Sequence, residues 1–311
     1  MYVLLGAHGN ITSRAARLLL QQRQPVRVIG RNPASLAPLQ QLGAQLAIGD
    51  AQDAAFLTRA FAAASAVYAM IPPDYGAADM RRSQALFGTA IAGALARSGV
   101  PRVVNLSSIG AELPAGTGPI VGLHEQEQRL DALPGLDLLH LRPGYFMENH
   151  LHAAAAVAAL GVYPSLERPD VAVPMVAAAD IAAVVARELV EPRARGVLHL
   201  HAPRRYSFEQ AAAILGSAIG RPALRYVQAQ PDQGLAALLQ LGFSPDAAAR
   251  MAEMARWLSA GTPATLPGPV ELTPTTLEDF APRFREVFEA QAPGQPQAAP
   301  GAAAARPGSG R

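Results

Sequence analysis

The amino-acid sequence predicts an α/β protein in which a doubly wound parallel sheet is accompanied by a smaller C-terminal α/β lobe. Three observations lead to this prediction. Short, almost continuously apolar segments alternate with amphipathic segments of about ten residues or more, as in buried parallel strands joined by crossover helices. A glycine-rich loop links the first apolar segment to the first amphipathic one. The alternation stops after Asn149, where alanine-rich helical segments become frequent.

The first half of the chain contains the strands of the predicted sheet, because its apolar segments are short and end at glycine, proline or polar residues. Strands are predicted at residues 2–5, 26–29, 45–48, 66–71, 102–106 and 136–141. The intervening segments have helical periodicity, and several end at a glycine. Helices are predicted at residues 10–22, 36–42, 54–64, 80–98 and 122–133. Right-handed crossovers between these strands produce a doubly wound sheet.

The second half of the chain is predicted to form the smaller lobe, except for a strand at 197–201 that returns to the main sheet. Helices are predicted at residues 151–160, 180–190, 207–219, 245–258 and 276–288. The chain thus divides into a sheet domain (1–150, with 178–203 returning to it), a lobe (151–289) and a tail (290–311). The tail consists mainly of Ala, Pro, Gly and Gln, so it has too few apolar side chains for a core and is predicted to be disordered.

The composition excludes several kinds of chemistry. The chain contains no lysine, so all 26 of its basic residues are arginine. It also contains no cysteine. The absence of cysteine excludes disulfides and thiolate catalysis, and the absence of lysine excludes every mechanism that needs one. The arginines are scattered and the net charge is only +2, so nucleic-acid binding is not expected. Neither a signal peptide nor a membrane-spanning run is evident, and we therefore expect a cytoplasmic protein.

The glycine-rich loop at residues 6–12 has the spacing of a dinucleotide-binding site. Gly6 and Gly9 allow a tight turn that brings the backbone close to a pyrophosphate, and the following helix presents unpaired N–H groups to it. Thr12 stands where the usual pattern has a third glycine. The position of the loop between a strand and a helix favours a Rossmann domain over an ordinary turn.

The residue after the second strand indicates which dinucleotide is bound. Arg31 stands where an Asp or Glu would bind the ribose 2′-hydroxyl of NAD, and a guanidinium suits the 2′-phosphate of NADP. We therefore predict a preference for NADP(H), with NAD(H) as an open alternative; Arg31 could also be an ordinary surface arginine. Asp50 closes the third strand, where it either accepts a hydrogen bond from the adenine amino group or forms a plain turn.

These features, together with residues 105–108 and 141–149, resemble the NmrA-like group of atypical short-chain dehydrogenases. The resemblance covers residues 1–288, and it is most particular over 141–149. The enzymes of that group that it suggests are NADPH-dependent quinone and azo-dye reductases. The segment around Tyr206 and Ser207 resembles the C-terminal lobe of the family.

The resemblance implies a role for residues at the carboxyl ends of the strands. It implies pyrophosphate contacts from Gly6, His8, Gly9, Asn10 and Ile11, a 2′-phosphate contact from Arg31, adenine and ribose contacts from Met70, Ile71 and Pro72, and nicotinamide contacts from Ser107, Pro143 and Gly144. It further implies a substrate pocket lined by Tyr145, Phe146 and Asn149, with Tyr75 as a lid residue. Tyr145 and Phe146 could equally be ordinary core aromatics.

The catalytic residues of ordinary short-chain dehydrogenases are missing. Those enzymes use a Tyr acid/base assisted by a Lys four residues later, but this chain has no Lys and no Tyr between Ser108 and the helix at 122–133. A quinone accepts hydride readily, so correct placement of the cofactor could suffice. His124, on the helix that carries the Tyr and Lys in those enzymes, and Tyr145 are the candidate proton donors; His124 could also be a surface residue.

Two functions are consistent with this sequence. The first is an oxidoreductase that transfers hydride from NADPH to a small quinone-like or conjugated acceptor without a Tyr/Lys relay. The alternative is a non-catalytic NADP(H) sensor that binds a regulatory protein partner. A tailoring enzyme with a narrow substrate is a weaker third interpretation, a homodimer is open in every case, and the physiological substrate is not readable. No metal site is predicted, because His150 and His152 lack the i, i+4 spacing of a ligand pair.

Overall fold

A computed structural model describes residues 1–263 and 266–291 of the chain. The strands of this part are β1 (Tyr2–Leu5), β2 (Val26–Gly30), β3 (Gln45–Ile48), β4 (Ala66–Ala69), β5 (Arg102–Leu106), β6 (Asp137–Pro143), β7 (Tyr145–Phe146), β8 (Val162–Ser165), β9 (Ala172–Val176), β10 (Gly196–His201), β11 (Arg205–Ser207), β12 (Arg225–Gln228) and β13 (Val270–Leu272).

The helices begin and end at well-defined capping residues in most cases. They are α1 (Asn10–Gln21), α2 (Pro33–Gln41), α3 (Ala54–Phe61), α4 (Met80–Ser98), α5 (Ile120–Asp131), α6 (Ala154–Leu160), α7 (Ala178–Val190), α8 (Phe208–Ala218), α9 (Pro231–Gln240), α10 (Pro245–Ala260) and α11 (Leu277–Glu289), with a 3₁₀ segment at Met147–Ala153. Asp79 caps the N-terminus of α4, and Gly99 ends this helix in the left-handed conformation.

The main sheet has eight strands within the described ranges, in the order β13-β10-β6-β5-β4-β1-β2-β3. Every pair of neighbouring strands in it runs parallel. The strand order reverses between β1 and β4, and in such sheets ligands bind beside the carboxyl ends of the strands at this switch point. The predicted fold class, a doubly wound Rossmann sheet, is confirmed.

Both faces of the main sheet are covered by helices, which is why its strands are apolar along their whole length. Residues of α1 and α7 pack on one face with buried Leu4, Val28 and Leu141. Residues of α3 and α4 pack on the other face with Val3 and Ile29. The alternation of side chains along each strand therefore divides one apolar segment between two separate cores.

The lobe is built around a third core and two small sheets. In the order β11-β9-β7, β9 pairs antiparallel with β11 and parallel with β7, while β8 pairs parallel with β12. Buried Tyr206, Phe208 and Phe284 anchor this core between α8 and α11. The helix α7 packs on the main sheet and the strands β10 and β13 lie in it, whereas the rest of the later chain forms the lobe.

Several predicted boundaries were wrong, for identifiable reasons. The helix predicted at 36–42 begins at Pro33, because Asn32 caps it and proline suits the first helical position. The helix predicted at 54–64 ends at Phe61, and Ala63 then adopts a left-handed backbone with φ +57°. The helix predicted at 151–160 is preceded by a 3₁₀ segment, so its regular part starts at Ala154.

The sequence analysis also missed α9, β13 and the short strands of the lobe. These strands have two to five residues, too few for a recognisable alternation. Residues 292–311 of the predicted disordered tail lie outside the described residues. No helix in the described part of the chain is long and apolar enough to cross a membrane.

Candidate functional site

The glycine loop lies at the switch point between β1 and β4. Gly6 has φ +71°, and the N–H of Gly9 donates to its carbonyl oxygen at 2.8 Å, which closes a tight turn. Gly9 precedes α1, and the N–H of Ser13 donates to the Gly9 carbonyl oxygen at 3.0 Å. The N–H groups of residues 10–12 come before this first helical hydrogen bond, so they have no partner within the helix. They are therefore available to bind an anion at the N-terminus of α1.

The other predicted pyrophosphate contacts differ in their exposure. His8 and Asn10 are exposed, whereas the Ile11 side chain is buried in the main core, so only its backbone can face a ligand. Met70 lies against the loop from the end of β4: a Cβ on Gly6 would be 2.7 Å from its sulfur. The loop thus requires glycine at position 6 both for its conformation and for the approach of Met70.

Thr12 resolves the question raised by the missing third glycine. Its side chain is buried, and its hydroxyl donates to the carbonyl oxygen of Leu5 at 2.9 Å. The hydrogen bond ties the first turn of α1 to the end of β1. A threonine can therefore replace the third glycine without opening the packing between helix and strand.

The adenine end of the predicted site contains Arg31 and Asp50. Arg31 is exposed directly after β2, and the neighbouring Asn32 accepts a hydrogen bond from the N–H of Ala34 at 2.9 Å, which fixes the start of α2. The carboxylate of Asp50 accepts from the N–H of Gln52 at 2.9 Å. This contact favours the turn role of Asp50, while Arg31 is exposed at the position where a 2′-phosphate contact is predicted.

The predicted nicotinamide end is formed by the loops after β5 and β6. The N–H of Ser107 donates to the carbonyl oxygen of Leu141 at 2.8 Å, and the Ser107 hydroxyl is buried without a hydrogen-bond partner among the described residues. A Cβ on Gly144 would lie 2.4 Å from the carbonyl oxygen of Pro174, so only glycine fits there. The Gly144 turn is thus packed against β9, and the Ser107 hydroxyl is a polar group at this end that the described residues leave without a partner.

The environment of His124 does not favour its predicted role as an acid. Its Nδ1 lies 2.8 Å from the carbonyl oxygen of Ala111, and its Nε2 lies 2.9 Å from the amide nitrogen of Gln128. The first contact requires a protonated Nδ1, which then leaves Nε2 to accept from the amide. Nδ1 thus holds α5 against the loop after β5, and Nε2 is occupied by a residue of the same helix.

Aromatic rings surround Tyr145. Its ring makes an edge contact with Phe208 at a centroid distance of 5.3 Å and lies 5.4 Å from the ring of His150. Burial, followed by the charge of Glu167, raises the pKa of Tyr145 well above its usual value, and a hydrogen bond with Asn149 opposes this shift. The hydroxyl therefore keeps its proton until a stronger base approaches. Phe146, by contrast, packs against the core of the main sheet.

Tyr75 connects the loop after β4 with the turn between α9 and α10. Its ring stacks on Phe243 at a centroid distance of 4.6 Å, and its carbonyl oxygen accepts from the N–H of Ser244 at 2.8 Å. Asp246 accepts from the N–H of Met80 at 2.9 Å. These contacts attach the lobe to the segment that follows β4.

Sequence reasoning missed a polar cluster inside the lobe that adjoins Tyr145. His150 is fully buried, its Nδ1 lies 2.6 Å from the hydroxyl of Tyr163, and desolvation lowers its pKa to about 4. Tyr163 stacks on Tyr226, and the Tyr226 hydroxyl donates to the backbone carbonyl oxygen of buried Glu167 at 2.8 Å. The aromatic residues had no recognisable spacing, and Glu167 stands in a polar segment typical of an exposed loop.

No group of three or more His, Cys, Asp or Glu residues within 1–263 and 266–291 is arranged to hold a metal ion. The glycine loop, the switch point and the strand-end glycines together define a dinucleotide-binding protein of the Rossmann type.

Comparison with known sequences specifies the family. The chain belongs to the NAD(P)H-binding family, whose profile matches residues 6–192. An NAD(P)H azoreductase from Xenophilus azovorans is 28% identical over 297 residues, which cover 94% of this chain and 98% of the relative. Both findings agree with the predicted NmrA-like group and with an NAD(P)H-binding oxidoreductase.

Solved structures show the same fold. An NADPH-dependent quinone oxidoreductase from Escherichia coli, in complex with NADPH, has a TM-score of 0.71 at 23% identity and covers 90% of this chain and 98% of its own. The triphenylmethane reductase of Citrobacter sp., in complex with NADP(H), has a TM-score of 0.74 at 17% identity and covers 92% of this chain and 100% of its own. These likenesses extend across both the sheet domain and the lobe.

Proposed function

We propose that this protein is an NADPH-dependent oxidoreductase that reduces a quinone-like or azo-type conjugated acceptor. The observation that carries the proposal is the continuity of the strand-end site. The glycine loop, the buried Ser107 hydroxyl and the Gly144 turn lie along one edge of the sheet, and Tyr145 follows directly at the lobe. The names of the azoreductase and the quinone oxidoreductase described above support the same class of acceptor.

The residues of the chain divide the work between binding and proton supply. Gly6, Gly9 and the N-terminus of α1 hold the pyrophosphate, and Arg31 binds the 2′-phosphate, which favours NADPH over NADH. When bound, NADPH supplies a hydride to the acceptor. Tyr145 donates a hydrogen bond to the acceptor atom that becomes negatively charged, and the lobe excludes water from the reacting groups.

The proposal is tested with the purified chain, NADPH or NADH, and a panel of quinones and azo compounds. Loss of the reduced-nicotinamide absorbance band reports turnover, and a Gly6→Val variant provides the control with a disabled loop. We expect turnover of at least one acceptor, faster with NADPH. Normal NADPH binding with no turnover on any acceptor above that control would contradict the proposal.

A redox sensor is the second candidate, and the occupied ring of His124 together with the absence of lysine favours it. A sensor would bind NADP⁺ at least as tightly as NADPH, would transfer no hydride and would bind a protein partner. Titration calorimetry with NADP⁺ and NADPH gives their relative affinities, and the acceptor assay described above shows whether the same preparation transfers hydride.

A further inference from the structure

A cavity of about 500 Å³ lies in the lobe between α9, α10 and the segment that joins β8 to β9, and we call it the lobe cavity. Volumes of roughly 300–1,000 Å³ are typical of sites that enclose a small molecule. Its apolar wall is formed by side chains from three elements, namely Leu166 between β8 and β9, Pro231 of α9, and Ala252 and Ala255 of α10. Because the side chains of α10 are small here, the helix leaves room for an apolar group beside it.

The walls of the lobe cavity are joined to one another. The N–H of Arg168, between β8 and β9, donates to the hydroxyl oxygen of Ser259 on α10 at 3.0 Å. A Cβ on Gly234 of α9 would clash with Leu166, so α9 lies directly against the segment between β8 and β9. The strand β12, which leads into α9, pairs with β8. The cavity is therefore enclosed by elements that contact one another, and it is a feature of the folded lobe.

The charged residues that line the lobe cavity are Arg168 and Arg256, and no acidic residue of the described part of the chain lines it. The guanidinium of Arg168 is bonded to Asp170, which is exposed and lies outside the lining. The ion pairs of α10 in the described ranges are made by Arg250, so exposed Arg256 has no salt-bridge partner there. An apolar wall beside an unpaired guanidinium suits an organic anion, because the wall packs against the carbon skeleton and the guanidinium donates to the acid group.

The lobe cavity and the strand-end site lie on opposite sides of α10. The loop after β5 contacts this helix at Trp257, since a Cβ on Gly110 would be 2.6 Å from the Trp257 ring. Residues two positions apart on an α-helix point in nearly opposite directions, and Ser259, which lines the cavity, is two positions after Trp257. The same relation holds for Ala252 of the cavity and Arg250, which meets the loop after β5. An occupant of the lobe cavity therefore leaves the dinucleotide site free.

We propose that the lobe cavity is a second ligand site, separate from the dinucleotide site, for a small carboxylic or sulfonic acid that carries an apolar ring or a branched chain. The carbon skeleton packs on Leu166, Ala252 and Ala255. The acid group accepts hydrogen bonds from the guanidinium of Arg256 at the rim of the cavity. This site is independent of hydride transfer, because it includes neither the nicotinamide end of the strand-end site nor Tyr145.

The test uses two fluorescent probes that differ in charge, anilinonaphthalene sulfonate and its uncharged analogue phenylnaphthylamine, both of which emit strongly only in apolar surroundings. The protein is first saturated with NADP⁺, because a dinucleotide site can also bind the sulfonate. We expect the wild type to bind both probes, and the sulfonate more tightly. Arg256→Gln should weaken sulfonate binding about 10-fold and leave the affinity for the uncharged probe unchanged. Arg225→Gln, at an exposed arginine of β12 outside the lobe cavity, is the matched control and should change neither affinity.

A filled cavity tests the location. Ala252→Phe should abolish the binding of both probes, and an unchanged NADP⁺ affinity shows that the variant is folded; Ala252→Leu, a smaller filling, replaces it if the phenylalanine variant does not fold. Absence of sulfonate binding to the NADP⁺-saturated wild type would overturn the proposal, since the probe would then occupy only the dinucleotide site. Equal sulfonate affinities of the wild type and Arg256→Gln would overturn the assignment of an anion. Full binding by a folded filled-cavity variant would overturn the location.

Discussion

The guanidinium of Arg142 and the carboxylate of Glu127 form a buried two-point ion pair between β6 and α5. Nε lies 2.9 Å from Oε1, and Nη2 lies 2.6 Å from Oε2. Glu112, in the loop after β5, accepts a third hydrogen bond from Nη1 of Arg142 at 3.2 Å. Arg142 directly precedes Pro143 and Gly144, so the pair fixes the turn that leads to Tyr145.

Replacing Arg142 with methionine should strongly destabilise the fold. The substitution leaves the Glu127 carboxylate buried without its partner, and such losses cost about 3–5 kcal/mol. Urea unfolding of the variant measures the change. The double variant Arg142→Met/Glu127→Leu removes both charges and should recover a substantial part of the loss. Equal stability of Arg142→Met and the double variant would show that the unpaired Glu127 carboxylate is not the cause of the loss.

Replacing Arg31 with alanine should weaken NADPH binding far more than NADH binding. The guanidinium is proposed to contact the 2′-phosphate, which NADH lacks, and one such contact is worth roughly 1.5–3 kcal/mol, or about 10- to 150-fold in Kd. Fluorescence titration with both cofactors gives the two affinities. Arg23→Ala, at the opposite end of α1, is the control and should change neither. Equal losses for the two cofactors after Arg31→Ala would show that Arg31 does not recognise the phosphate.

Replacing Gly6 with alanine should impair both folding and cofactor binding. The added Cβ would lie 2.7 Å from the Met70 sulfur, and the alanine would have to adopt φ +71°. Both effects should displace the loop from the pyrophosphate position. We expect a stability loss on the order of 1–3 kcal/mol and a reduced affinity for both cofactors. Gly43 has φ +102° with nothing within 4 Å of its Cβ position, so Gly43→Ala carries only the backbone strain. Unchanged cofactor affinity in Gly6→Ala would contradict this account of the loop.

The strands β1 to β6 and the long helix α4 could be predicted from the sequence because their signals are local. An apolar run, an N-capping Asp79 and a C-terminal Gly99 act within a few residues of the element that they define. The glycine loop is equally local, and the predicted strand–loop–helix unit is present in the structure. The strand-end position of most predicted cofactor residues follows directly from the parallel topology.

The partners of buried charges could not be predicted in this way. Arg142 and Glu127 are 15 residues apart, and Arg102 and Glu188 are 86 apart, so only the folded sheet and its helices bring them together. Glu167 is harder still, because a polar segment gives no sign that one of its carboxyls turns inward. Local patterns identified the sheet and its loop, whereas the electrostatics of the lobe depend on contacts between distant elements.

His150 should make the protein less stable as the pH falls. Its folded pKa is about 4 and its unfolded value is 6.5, so between these values the unfolded chain binds more protons and stability decreases with falling pH. The contribution of neutral His150 to the free energy of unfolding is fully present above pH 6.5. Because of this one group, that free energy should be about 2 kcal/mol lower at pH 5. Urea unfolding of the cofactor-free protein at pH 8 and pH 5 measures the change in the free energy of unfolding. His150→Gln should remove the share of this change that comes from His150, while preserving a hydrogen bond to Tyr163. His152→Gln, an exposed neighbour, should keep the wild-type dependence. An identical pH dependence in His150→Gln and the wild type would show that burial does not hold His150 neutral.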